Sequence, residues 1–269
     1  MKHKFFIIFL SILILFFACN QNKTGRTNPP KPMTEEEAQK QQIVDDIKNL
    51  LQTITPILRV HNDNTWDEDA QGYNLFGSDR FQLFDVIDHT PKKYEPYNAN
   101  NDVSKAARRE VYLAFEYNKD YLNAFATIAN KLEQYARGDY PTNEHVRKRV
   151  LSIREYAKAY YLQAFDTINN KKDELEKLSL ENLNTLHNKI NAIQEAKTNI
   201  VNIAHKIKED YDAKIQVGSG TLQSEVKTQE HSSEIYAYIA SKIKEGEFEK
   251  NLNTIKQEAN EIINILTLP

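Results

Sequence analysis

The chain is poor in the residues on which several fold classes depend. It holds one cysteine, one tryptophan and seven glycines in 269 residues, against an average glycine usage of roughly 7%. Between Ser78 and Val217 the single glycine is Gly138. A β-sandwich or barrel needs many tight turns with positive φ, and a Rossmann or P-loop fold needs a glycine-rich phosphate turn. Both classes are therefore excluded. One cysteine rules out a disulfide framework and any cysteine-rich metal site. A large excess of one charge is missing too, with 35 Lys+Arg against 38 Asp+Glu. A mildly acidic chain has no electrostatic reason to bind nucleic acid.

What is present is 40% apolar and 27% charged residues. That balance fits a folded, soluble body rather than a disordered chain or a polytopic membrane protein. The expected fold class is all-α: a single compact antiparallel bundle of about seven helices after a disordered N-terminal tether.

The N-terminus is different in kind. Lys2 and Lys4 precede an apolar run from Phe5 to Phe17 that only Ser11 interrupts. Such a run is too short for a membrane-spanning helix, which needs ~20 residues, and suits the core of a signal peptide. Ala18 and Cys19, the lone cysteine, follow at once. A small residue before cysteine at the end of such a run is the pattern of a bacterial lipoprotein signal, although Phe16 stands where leucine is usual. Cleavage after Ala18 would leave Cys19 as the lipidated N-terminus, with residues 1–18 as the signal and 33 basic against 38 acidic side chains in the remainder. Residues 19–33 carry Gly25, Pro29, Pro30 and Pro32 and no apolar period, so they read as a flexible tether. The helical domain is expected over 34–269.

Within that domain Thr34 and Glu37 form a capping box. Ile43, Ile47, Leu50, Leu51, Ile54 and Ile57 then trace one helix face, which Pro56 should kink or end. Residues 61–78 read as an acidic loop, and a short helix is expected around Phe81–Ile87. From Asp102 the pattern is helical to Gly138, with a bend near Asn118–Asp120. After the Gly138-Asp139-Tyr140-Pro141 turn, Thr142 should cap a helix carrying Val146, Val150, Ile153, Ala157, Tyr160, Ala164 and Ile168. Ser179 should cap a helix of about 35 residues that ends at Gly218-Ser219-Gly220. Two more follow, one carrying Leu222, Val226, Ile235, Ile239 and Ile243, the other Phe248 to Leu266.

Catalytic and metal signatures are not apparent. The seven histidines form no HExxH pair and no spacing that sets two ligands on one helix face. Asp67, Asp69, Gln71 and Gly72 match the start of an EF-hand loop, but its twelfth position is Ser78 rather than glutamate. No metal, cofactor or enzymatic activity is expected. Arg108-Arg109 and Arg147-Lys148-Arg149 read as solvated faces. Tyrosine is frequent at 14; Tyr156, Tyr160, Tyr161, Tyr236 and Tyr238 should be core or boundary residues whose hydroxyls reach water, with an exposed subset suited to docking. The ligand-binding residues are not legible.

A signal ending at Cys19, a proline-rich tether and a charged helical domain together resemble the outer-surface lipoproteins of Lyme disease spirochaetes (Borrelia). Residues 170–183, NKKDELEKLSLENL, look like the connector between central helices in the CspA-like paralogous family, and 108–118, RREVYLAFEYN, resembles the helix before it. The similarity spans roughly residues 40–266. Membership would imply about seven helices on the cell surface and a role with host or vector. The family's best-known member binds complement regulators of the factor H type and dimerises through an extended C-terminal helix. Here Pro269 follows shortly after Leu266, so a monomer is expected. The resemblance implies a surface lipoprotein of the outer membrane that binds a host protein in complement evasion. An adhesin for host or tick tissue, or an antigenic lipoprotein without a high-affinity ligand, shares the same sequence features.

Overall fold

A computed structural model describes residues 33–77, 82–90, 95–136, 140–243 and 246–267. Cys19, Ala18 and the tether to Pro32 lie outside them, as do Ser78, Phe81 and the Gly138-Asp139 pair. Glu35 to Pro269 forms one compact unit. Its elements are α1 (Glu35–Asn62), α2 (Leu83–Val86), α3 (Asp102–Ala114), α4 (Lys119–Ala136), α5 (Tyr140–Ala157), α6 (Asp166–Lys171), α7 (Leu180–Asp212), α8 (Ser232–Lys242) and α9 (Glu247–Thr267). A π-helical stretch, Lys158–Phe165, joins α5 to α6 without a break. Counting that as one helix leaves seven of eleven residues or more among the described residues. The fold is all-α, as expected. None of the described helices is long and apolar enough to cross a membrane.

Helix α1 keeps the apolar period of the sequence and, of the two outcomes expected at Pro56, does not end there. Three glutamates occupy its first turn, where the helix dipole favours negative charge. Ile43, Val44, Ile47, Leu51, Ile54 and Leu58 are buried along one face. Pro56 neither ends the helix nor stops the apolar stripe. The hydroxyls of Thr53 and Thr55 donate to the carbonyls of Leu50 and Leu51 in the turn that proline disturbs. Burial on both sides of Pro56 outweighs the missing N–H donor.

Three apolar clusters make the core. The largest joins α1, the π segment, α7 and α9. Lys189 pairs with Glu258 at 3.0 Å and Asn199 donates to Asn251 at 3.1 Å, so α7 and α9 run antiparallel. A second cluster joins residues 73–87 to α3, α4 and α5. The third sits under α8, between α4 and a two-residue antiparallel hairpin, Gln216–Val217 with Ser224–Glu225. All three lie between Ile43 and Leu266.

Several boundaries differ from the sequence reading. The expected bend at 118–120 is a full break: Glu116 and Tyr117 adopt positive φ of 56° and 57°, and Asn118 then caps α4 through bonds from Asp120 and Tyr121. Helix α5 begins at Tyr140, so Thr142 lies inside it; Pro141 falls in the first turn, where no N–H is needed. Ser179 caps α7 as expected, accepting from the Asn182 N–H at 3.1 Å. That helix stops at Asp212 rather than at the glycines. Lys214, at φ 52°, turns the chain into the hairpin, where Leu222 is exposed and α8 waits until Ser232. Gly218 is needed there: at φ 89°, a Cβ would come within 2.7 Å of the Leu222 carbonyl. Gln229, fully buried, ties the hairpin by donating to the Val217 and Leu222 carbonyls and accepting from His231.

Candidate functional site

A cavity of about 260 Å³ lies among α4, α5, α7 and α8. Its walls are mostly Ala, Val, Leu, Ile and Phe; the exceptions are Tyr121, Tyr156, Tyr236, His145, Arg149 and Lys208. The α7 stripe that sequence periodicity places in the core runs past Ile200 to Ala204 and Ile207, which face this space and stay half-buried. Exposed Val201 and Tyr236 also line it, so apolar surface continues from the interior to solvent. Arg149 pairs with Glu249, Lys208 with Asp212 at 2.5 Å, and the Tyr121 hydroxyl meets His205 at 2.8 Å. Nothing in the sequence announces such a space, because it arises from helices standing apart rather than from any one of them.

Next to the cavity is a tyrosine cluster built by the π segment. Buried doublets recur every four residues: Tyr156-Ala157, Tyr160-Tyr161, Ala164-Phe165. Bonding from i to i+5 widens the turn, so both rows keep facing inward. The strict fourfold spacing was a readable signal. The hydroxyls do not reach water as expected: Tyr160 donates to Gln194 at 2.8 Å and Tyr161 to Glu116 at 2.6 Å. The Tyr156 hydroxyl, beside Tyr161, makes no hydrogen bond of regular geometry. Burial pushes all three phenols well up, so they stay neutral at physiological pH. Burial alone would raise the Glu116 carboxyl as well, but Lys197 at 2.6 Å and the Tyr161 hydroxyl hold it below the usual range.

Arg108-Arg109 is not the solvated face expected of it. Arg108 is 3% exposed; its guanidinium takes both carboxylate oxygens of Glu68, at 2.8 and 2.7 Å, and stacks over Phe76. Arg109 donates to the Val60 and Asp63 carbonyls at 2.6 and 2.9 Å, capping the end of α1 from outside. Arg147 is held by Glu144. Lys148 and Arg149, paired with Glu144 and Glu249, are exposed, as expected of a solvated face. The acidic loop is also more than surface, since Tyr73 and Leu75 are buried and Trp66 packs edge-on to Tyr117. Asp67 spends its carboxylate on the Asp69 and Ala70 amides. Among the described residues no group of three or more metal-ligating side chains is placed to hold an ion.

His61, near the end of α1, accepts or donates a 2.9 Å bond with the Tyr117 hydroxyl. Burial, then the charge of Arg109, lower it to about 4. An unfolded histidine titrates near 6.5, so the unfolded chain binds the extra proton first and stability falls with pH between 6.5 and 4. With a discount for its partial exposure, the loss by pH 5 is about 1 kcal/mol. Burial lowers His89 in the same sense. Urea denaturation at pH 7 and pH 5 checks this: His61→Gln should lose less stability on acidification than the unsubstituted protein, and an equal loss would refute the assignment.

The sequence matches the family described as "Borrelia Bbcrasp-1 domain containing protein" over residues 66–267. No curated protein matches the chain. Among solved structures, the outer surface protein BBA65 of Borrelia burgdorferi superposes with a TM-score of 0.61 at 15% identity, over 83% of this chain and 100% of that one. BSA64 of Borrelia spielmanii gives 0.61 at 20% identity, over 85% and 97%. The outer surface lipoprotein BBA64 of Borrelia burgdorferi gives 0.59 at 18%, over 85% and 96%. At these identities the structures establish a shared fold. The family match covers about three quarters of the sequence and all of the helices from α2 onward, and the chain belongs to the Borrelia Bbcrasp-1 domain family.

Proposed function

We propose that this chain is a lipid-anchored protein of the bacterial outer surface that binds a host protein, with a complement regulator of the factor H type as the favoured partner. The family match over residues 66–267 carries the reading. Relatives described as outer surface proteins, one of them as an outer surface lipoprotein, support it. So does the N-terminal pattern: cleavage after Ala18 frees Cys19 to carry acyl chains, and two or three such chains hold a protein stably on a membrane. Residues 19–33 would reach up to about 50 Å, enough to lift the helical unit clear of the headgroups. The partner is a protein rather than nucleic acid because the body is acidic, and the unit acts as a monomer.

The anchor and the partner are tested separately. Cys19→Ala should move the protein from the membrane fraction to the soluble one, and protease added to intact cells should remove the helical unit. Survival of that unit on intact cells would overturn the surface placement. Immobilised residues 35–269, exposed to human serum and read by mass spectrometry, should enrich factor H or a related regulator. Retention of host or tick tissue proteins alone would replace complement evasion by adhesion, and an empty result in both would leave a surface protein without a high-affinity ligand.

A further inference from the structure

Helices with continuous apolar stripes ordinarily close on one another, yet Phe125, Ile153, Ala204, Ile207 and Ile239 stay half-buried around an open volume. At about 260 Å³ it exceeds the ~150 Å³ of an engineered apolar cavity that stays dry and takes up benzene. An apolar space of this size favours a hydrocarbon over water. Its margin decides what else the occupant carries. His145, Arg149 and Lys208 contribute nitrogen bases, Tyr121 and Tyr236 contribute phenols, and no carboxylate lines it among the described residues. Glu249 and Asp212 hold Arg149 and Lys208 from outside that lining. An arginine with five N–H donors and a lysine with three can serve a second acceptor besides.

We propose that this cavity binds a single-chain aliphatic carboxylate, with the hydrocarbon in the apolar volume and the carboxylate at the basic margin. The site is independent of any serum partner, so either reading can fail alone. Dodecanoate, a fatty acid, is the probe, titrated below its micelle concentration into residues 35–269 and followed by calorimetry. Saturable binding near one equivalent is expected. Affinity should rise roughly fourfold per added methylene from octanoate to dodecanoate. Dodecyltrimethylammonium, with the same chain and the opposite charge, should bind at least tenfold more weakly. Arg149→Gln or Lys208→Gln should weaken dodecanoate at least fivefold while leaving a neutral twelve-carbon alcohol unchanged, and the more sensitive of the two marks the carboxylate's seat. Ala204→Trp should fill the volume and abolish binding with an unchanged helical spectrum; if that variant misfolds, the ligand series on the unsubstituted protein still decides. No saturable binding, equal affinity for the ammonium amphiphile, or full binding by a folded Ala204→Trp overturns the proposal.

Discussion

Replacing Glu68 by alanine should destabilise the folded unit by about 3–5 kcal/mol, the range for removing one partner of a buried ion pair. The Arg108 side chain is only 4% exposed and Glu68's 15%, so little water replaces the lost carboxylate. Two of the five guanidinium donors would be orphaned, while the bonds to the Tyr97 and Ala99 carbonyls hold the charge in place. Glu68→Gln keeps the shape and one acceptor, and should cost less than the alanine. Removing the charge on both sides, with Glu68→Leu and Arg108→Met together, should recover much of the loss, because a well-packed apolar pair often equals a buried ionic one. Urea unfolding followed by circular dichroism measures all three. A loss below 1 kcal/mol for Glu68→Ala would show that the pair is more hydrated than its burial indicates.

Tyr161→Ala should cost a similar 3–5 kcal/mol, for a different reason. The ring is fully buried between Tyr160 at 4.7 Å and Tyr156 at 6.4 Å between centroids, inside the largest core cluster. Its removal leaves a void that the π segment can close only by abandoning the wide turn. Tyr161→Phe separates packing from polarity: the ring stays, and only the bond to Glu116 is lost. Glu116 keeps Lys197 and is partly exposed, so the loss should be about 1–2 kcal/mol. Near-equal losses in the two variants would show that the hydroxyl, rather than the ring, holds the segment.

Local rules served well wherever a residue's fate depended on its neighbours along one helix. The buried residues of α1 and α9 fall on the stripes that three- and four-residue spacing marks, and Ser179 caps α7 through the amide three residues on. They were incomplete at Pro56, which does not end α1, and at 116–118, where the expected bend is a full break at two left-handed residues. Arg108-Arg109 failed most plainly. Two adjacent arginines on a helix look solvated because their partners lie 40 and 46 or more residues earlier, at Glu68 and at the end of α1.

What the sequence by itself determined is therefore the class of fold, the faces of its helices and most of its interruptions, since each follows from glycine scarcity, apolar period and caps that act within one turn. Only the tertiary structure decided which charges are buried, where the helix widens to seat three tyrosines, and that four apolar stripes surround a cavity instead of meeting. Those outcomes depend on the distance between elements, and a one-dimensional period carries no information about distance across the fold.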